Sequence, residues 1–132
     1  MPCGVGATTM IEPRTMEQRV TDIIKGIGIP AHFKGYYYVR EAVLLVVEND
    51  ELMEGVTTKL YPLIAEKHGT TPGRVERAIR TCLGAACSRG NTLFINRLFG
   101  PGKAEHGITN KEFIVRIAKQ IRIENHLTIN DL

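Results

Sequence analysis

No stretch of about 18 apolar residues occurs in this sequence, which excludes an ordinary membrane-spanning helix. Met1 to Met10 lacks the basic segment followed by an apolar one that marks a secretory signal, so a cytoplasmic protein with no membrane partner is expected. Cysteine is scarce. The three present, Cys3, Cys82 and Cys87, are an odd number with no C-x-x-C, which argues against a disulfide framework and against a zinc site. His32, His68, His106 and His126 are scattered, with no H-E-x-x-H, and read as surface or turn residues. No metal or other cofactor is expected. A nucleophilic Cys82 or Cys87 needs a nearby histidine and a third group to orient it, and the sequence places neither. No catalytic residue is assigned, and the chain is read as a non-enzyme.

Net charge is only +3, too little to argue for nucleic acid unless it is concentrated somewhere. It is. Residues 1–55 hold five Lys/Arg against eight Asp/Glu, residues 56–90 hold six against two, and residues 91–132 hold six against four. The middle third is therefore the basic one.

At 132 residues the chain fits one compact domain with a single core, and no internal repeat divides it. Residues 1–14, with Pro2, Gly4, Gly6 and Pro13, read as a tail or linker remnant. The domain is expected over 15–127, with a short tail at 128–132.

Helical spacing accounts for most of that domain, so the fold class is all-α, with about six helices and no winged β-hairpin. Thr15 and Gln18 form a capping box ahead of Val20, Ile23 and Ile24, and Gly26, Gly28 and Pro30 stop this first helix, 16–25. The lone Gly26-x-Gly28 is a helix stop, not a phosphate loop, because it opens no helix. From Gly35 to Asn49 the β-branched run also suits a buried strand, but its length, its freedom from Gly and Pro after Gly35, and Arg40 with Glu41 on a polar side favour a helix. Tyr38 is expected in the core, with Tyr36 and Tyr37 half-exposed. A third helix spans 56–67, with Pro62 marking a kink or a restart. A fourth runs 72–88, and a fifth, 92–98, ends at Phe99-Gly100-Pro101-Gly102. A loop follows. Thr109 and Glu112 then begin a last helix ending near Ile123, with Phe113, Ile114, Ile117, Ala118 and Ile121 on its inner face.

Between Tyr61 and Ile79 the spacing is that of two helices crossing at a tight turn. Ala65 is small where the helices meet, Gly69 is free to take positive φ at the corner, and Val75 faces the first helix. Thr71 is a good N-cap and Pro72 a good first helical residue. At 100° per residue Val75, Ala78, Ile79, Cys82 and Ala86 turn inward. Gly73, Arg77, Arg80 and Gly84 turn outward, with Arg74, Glu76 and Thr81 on the flanks. This slim basic face suits a major groove, where an arginine can grip guanine O6 and N7 and a glutamate can accept from cytosine N4. The competing view is a solvated helix face with an i, i+4 pair between Glu76 and Arg80.

The stretches GIPAHFKGYYYVREAV (28–43), TTKLYPLIAEKHGTTPGRVERAIR (57–80), SRGN (88–91), LFG (98–100) and KEFIVRIAKQIRIE (111–124) resemble the C-terminal effector domain of the stage-zero sporulation protein A family, the sporulation response regulators. The similarity runs from Glu17 to Leu127. It implies a six-helix domain that binds a short promoter box in double-stranded DNA, activates or represses transcription, and contacts the sigma subunit of RNA polymerase. Carried over, base readout falls to Arg74, Glu76 and Arg77, and backbone contact to Thr70, Thr71, Gly73, Arg80, Thr81 and Arg89. The last helix resembles the element that pairs family members head to tail on tandem boxes, which implies contacts from Phe113, Arg116, Ile117 and Gln120. Three features depart from the family. Residues 1–16 are too few for a phospho-accepting receiver domain, Pro72-Gly73 replaces a helix-friendly small pair, and Cys87 stands where a large aromatic is expected, ahead of a shorter loop after Gly100. The alternative function is a receiver-less interaction module acting on the sigma subunit or on a full-length regulator.

Overall fold

The computed structural model describes residues 15–131, with side chains as far as Glu124. Residues 1–14, expected as a tail, and Leu132 lie outside the described residues. Among those described there are seven α-helices and no strand, and no helix is long and apolar enough to cross a membrane.

Helix α1 (Met16–Ile27) opens with the expected capping box: Thr15 Oγ1 accepts from the Gln18 N–H at 3.1 Å and the Gln18 side chain accepts from the Thr15 N–H at 2.9 Å. It ends at Gly28, whose φ of 99° is left-handed. Helix α2 (Lys34–Glu48) packs against α1 and against three later helices, which explains its broad apolar surface. Val39, Ala42, Val43 and Val46 are wholly buried. Tyr36, expected half-exposed, is buried as well, whereas Tyr37 is exposed.

The third helix is divided. A 3₁₀ turn (Asp50–Met53) precedes a π-helical turn (Val56–Leu60), which runs into α3 (Tyr61–His68). Pro62 falls in the first turn of α3, where the π-helical turn passes into α-helix, so it marks a change of helix type along an unbroken helical run. Helix α4 (Pro72–Arg89) follows the corner, then α5 (Thr92–Phe99). The segment expected as a loop contains a single-turn helix, α6 (Lys103–His106), docked by the Ala104 N–H donating to Asn96 Oδ1 at 3.0 Å. Its flanking glycines, Gly102 and Gly107, leave too few residues for any periodicity to show.

Helix α7 (Asn110–Asp131) continues well past the expected end near Ile123. Thr109 Oγ1 accepts from the Glu112 N–H at 3.1 Å, but Glu112 does not return the bond; its carboxylate takes Lys103 at 2.7 Å. Phe113, Ile114, Ile117, Ala118 and Ile121 form the inner face, with Phe113 stacked on Phe99.

Candidate nucleic-acid interface

The corner between α3 and α4 follows from three residues. Gly69 adopts φ 65°, and the Thr70 N–H reaches back to the Ala65 carbonyl at 2.9 Å, closing the end of α3. Thr71 Oγ1 then accepts from the Arg74 N–H at 3.3 Å, and Pro72 takes the first helical position. The Pro72-Gly73 pair is thus accommodated by the cap. Val75, Ile79 and Cys82 are fully buried against the rest of the fold.

The opposite side of α4 is open. Gly73, Arg74, Arg77, Arg80, Thr81 and Gly84 are exposed and Glu76 is half-buried. A Cβ at Gly73 or Gly84 would meet nothing within 4 Å, so the ridge is slim, as its sequence implies. Arg80 pairs with Glu76 at 3.4 Å, so the i, i+4 pair of the competing view is formed. It does not extend further. The side chains of Arg74 and Arg77 have no hydrogen-bond or ion-pair partner among the described residues.

Two depressions flank this ridge. One, of about 370 Å³, is lined by Arg74, Arg77, Ala78 and Thr81 on α4 and by Phe33, Lys34 and Gly35 at the start of α2. Here the two helices touch: a Cβ on Gly35 would stand 2.3 Å from the Ala78 carbonyl oxygen. Lys34 gives no signal in the sequence because it belongs to the acidic first third of the chain, and only the contact at Gly35 brings it beside the arginines. The other depression, of about 670 Å³, is lined by Thr57, Thr58, Tyr61, Glu76, Arg80 and residues 106–111.

Not every expected residue joins this surface. Thr70, Thr71, Gly73, Arg74, Glu76, Arg77, Arg80 and Thr81 lie together on the corner and the first three turns of α4. Arg89 is exposed but lies about 22 Å further along the axis than Arg74, near Pro30 and His32. On α7, Phe113 and Ile117 are 1% and 0% exposed, so their side chains fill the core and are not available to a second copy. Of the four residues expected in pairing, these two are core side chains of the single chain. Arg116 is exposed and donates to the Leu98 carbonyl at 3.1 Å, and Gln120 donates to Glu124 at 3.0 Å.

Cys82 and Cys87 are packing groups. Burial pushes the Cys82 thiol up to about 11, and burial also raises Cys87, partly offset by a hydrogen bond with the Ile108 backbone. No group of three His, Cys, Asp or Glu side chains suited to a metal ion occurs among the described residues.

Two helices meeting at a glycine corner, the second presenting unpaired arginines along a slim outer face, define a helix-turn-helix DNA-binding domain. The family model described as Sporulation initiation factor Spo0A C terminal matches residues 20–121. The chain belongs to that family: it is a DNA-binding, transcription-regulating effector domain of the sporulation response-regulator type, a family of regulators and not of enzymes.

Proposed function

We propose that the chain reads a specific duplex sequence by laying the first three turns of α4 in the major groove. Arg74, Glu76 and Arg77 meet base edges, while Arg80, Thr70, Thr71, Gly73 and Thr81 hold the sugar-phosphate backbone and Arg89 reaches it further along. The observation that carries this reading is that Arg74 and Arg77 are exposed with no partner among the described residues. A guanidinium left free in this way keeps its planar fork for a guanine or a phosphate. Glu76, held by Arg80 at 3.4 Å, is released or shared when it accepts from a cytosine amino group.

Titration of duplexes selected by the chain from random DNA, at several salt concentrations, tests the assignment. Arg77→Ala is expected to cost ~1–3 kcal/mol on the selected sequence and to relax base choice. Arg80→Ala is expected to weaken all duplexes alike and to flatten the salt slope by about one. Equal, sequence-blind losses from both variants defeat the base-reading assignment.

A second reading, favoured by the outer face of α7, is interaction with protein. Val115, Arg116 and Lys119 line a surface hollow there, and Ile123 is exposed beyond them. This face suits head-to-tail pairing on tandem sites, contact with the sigma subunit of RNA polymerase, or engagement of a full-length regulator. It predicts that partner binding survives the double removal of Arg74 and Arg77.

A further inference from the structure

The recognition helix has to be aimed as well as charged. A roll of about 10° about its axis moves a side-chain tip by about 1 Å. That exceeds the ~0.5 Å spread of a good hydrogen-bond length. Apolar packing of Val75, Ile79 and Cys82 holds α4 down but lacks the directionality of a hydrogen bond.

A directional contact lies at the right place. Asn110, the first residue of α7, is 9% exposed and is the one buried polar residue among those described. Its amide nitrogen donates to Tyr61 Oη at 3.1 Å and to the Glu76 main-chain carbonyl at 3.0 Å. Both N–H groups are used, and the two partners belong to the two halves of the helix-turn-helix. Turning the amide over would set its oxygen against the Glu76 carbonyl, so the orientation is fixed by its partners. The Glu76 carbonyl already serves the helix ladder, and a second donor uses its remaining lone pair. The bond falls on the peptide unit joining Glu76 to Arg77, two of the residues assigned to base readout.

We propose that Asn110 is a positioning residue for base readout, a strap from α7 that fixes the roll of α4 through the Tyr61 hydroxyl and the Glu76 carbonyl. The inference rests on the duplex-reading function proposed above. Its consequence is that sequence preference depends on a residue that touches no DNA. A residue serving stability alone would leave that preference intact.

The test compares wild type with Asn110→Leu, which keeps bulk and loses both donors, and Asn110→Ser, which is too short to reach either acceptor. Affinity is measured for a duplex selected by the wild-type chain and for a scrambled duplex of the same composition, at several salt concentrations, with circular dichroism confirming the fold. The expected result is a fall of about tenfold in the ratio of selected to scrambled affinity, with the salt slope unchanged. An unchanged ratio in a folded variant overturns the inference, even where the melting temperature drops. If neither Asn110 variant folds, Tyr61→Phe, which deletes only the hydroxyl, is judged by the direction of the same ratio. Wild-type protein with no preference between the duplexes overturns the duplex-reading function itself, which distinguishes that failure from the failure of the strap.

Discussion

Helices α4 and α7 begin alike, each with a threonine hydroxyl accepting from the main-chain N–H three residues on, and each buries a row of apolar side chains. Their outer faces differ in how some of their arginines are used. On α7, Arg116 donates to the Leu98 carbonyl, and Arg122 is tied to Asp50 and to the Val47 carbonyl. On α4, Arg74 and Arg77 serve nothing among the described residues. Positive charge at helical spacing is therefore a weak guide to a binding face; charge with no internal use is a better one. Arginines on one helix can fasten it to its own fold while those on another stand ready for a partner.

The largest way to test this contrast is on the buried side of α7. Ile117→Ala removes a fully buried side chain and is expected to cost ~2–5 kcal/mol of stability. Duplex preference of the folded fraction should be unchanged. Arg77→Ala is the converse, with its loss in binding and no measurable change in denaturant midpoint. If Ile117→Ala at a permissive temperature altered base choice while Arg77→Ala did not, the division of labour between the helices would be wrong.

A smaller effect sharpens the account of α4 itself. Gly84 lies in the helix interior on the open face, and a methyl group added there would meet nothing within 4 Å. Gly84→Ala should stabilise the domain by ~0.5–1 kcal/mol, because alanine loses less backbone freedom in a helix. Thermal melts check this. A loss of stability would mean that the glycine serves a contact within the fold.

Much of this arrangement is legible in the sequence, for reasons that particular residues make plain. Thr15 with Gln18, Gly28, Gly69 and Thr71-Pro72 act through neighbours within a few positions, so the ends they set can be read locally. Periodicity places Phe113 and Ile117 inward, and the structure agrees; only the family resemblance draws them into a pairing surface. Other features depend on distant contacts. Lys34 joins the arginines only because Gly35 lets α2 pass against Ala78. Asn110 at a helix start looks like any polar first-turn residue until its partners, 49 and 34 positions away, are known. The π turn before Pro62 and the single turn of α6 are too short for a spacing rule to register.

The smallest expected effect concerns ion pairs that join α1 to α7 and α2 to α3 and leave the arginine ridge of α4 untouched. Arg19 grips Glu124 of α7 with two hydrogen bonds, at 2.9 and 3.0 Å, and Glu41 of α2 takes Lys67 at 2.5 Å and His68 at 2.8 Å. The Arg19 hydrogen bond holds Glu124 below the usual carboxylate range against the upward push of burial. For Glu41, burial pushes upward most strongly, yet the bonds from Lys67 and His68 together leave it lowered. A carboxylate whose folded pKa is depressed stabilises the fold fully above its unfolded value, about 4.3, and loses that contribution as pH falls through the folded one. Each pair is near the surface and is worth ~0.2–1 kcal/mol, so the melting temperature should fall modestly as pH drops below about 4.3 and through the lowered folded values. Glu124→Gln and Glu41→Gln should each lower stability at neutral pH and make that acid decline shallower. An unaltered decline in both variants would mean that other groups set the acid limit, and that these pairs do not fasten the scaffold behind the free arginines.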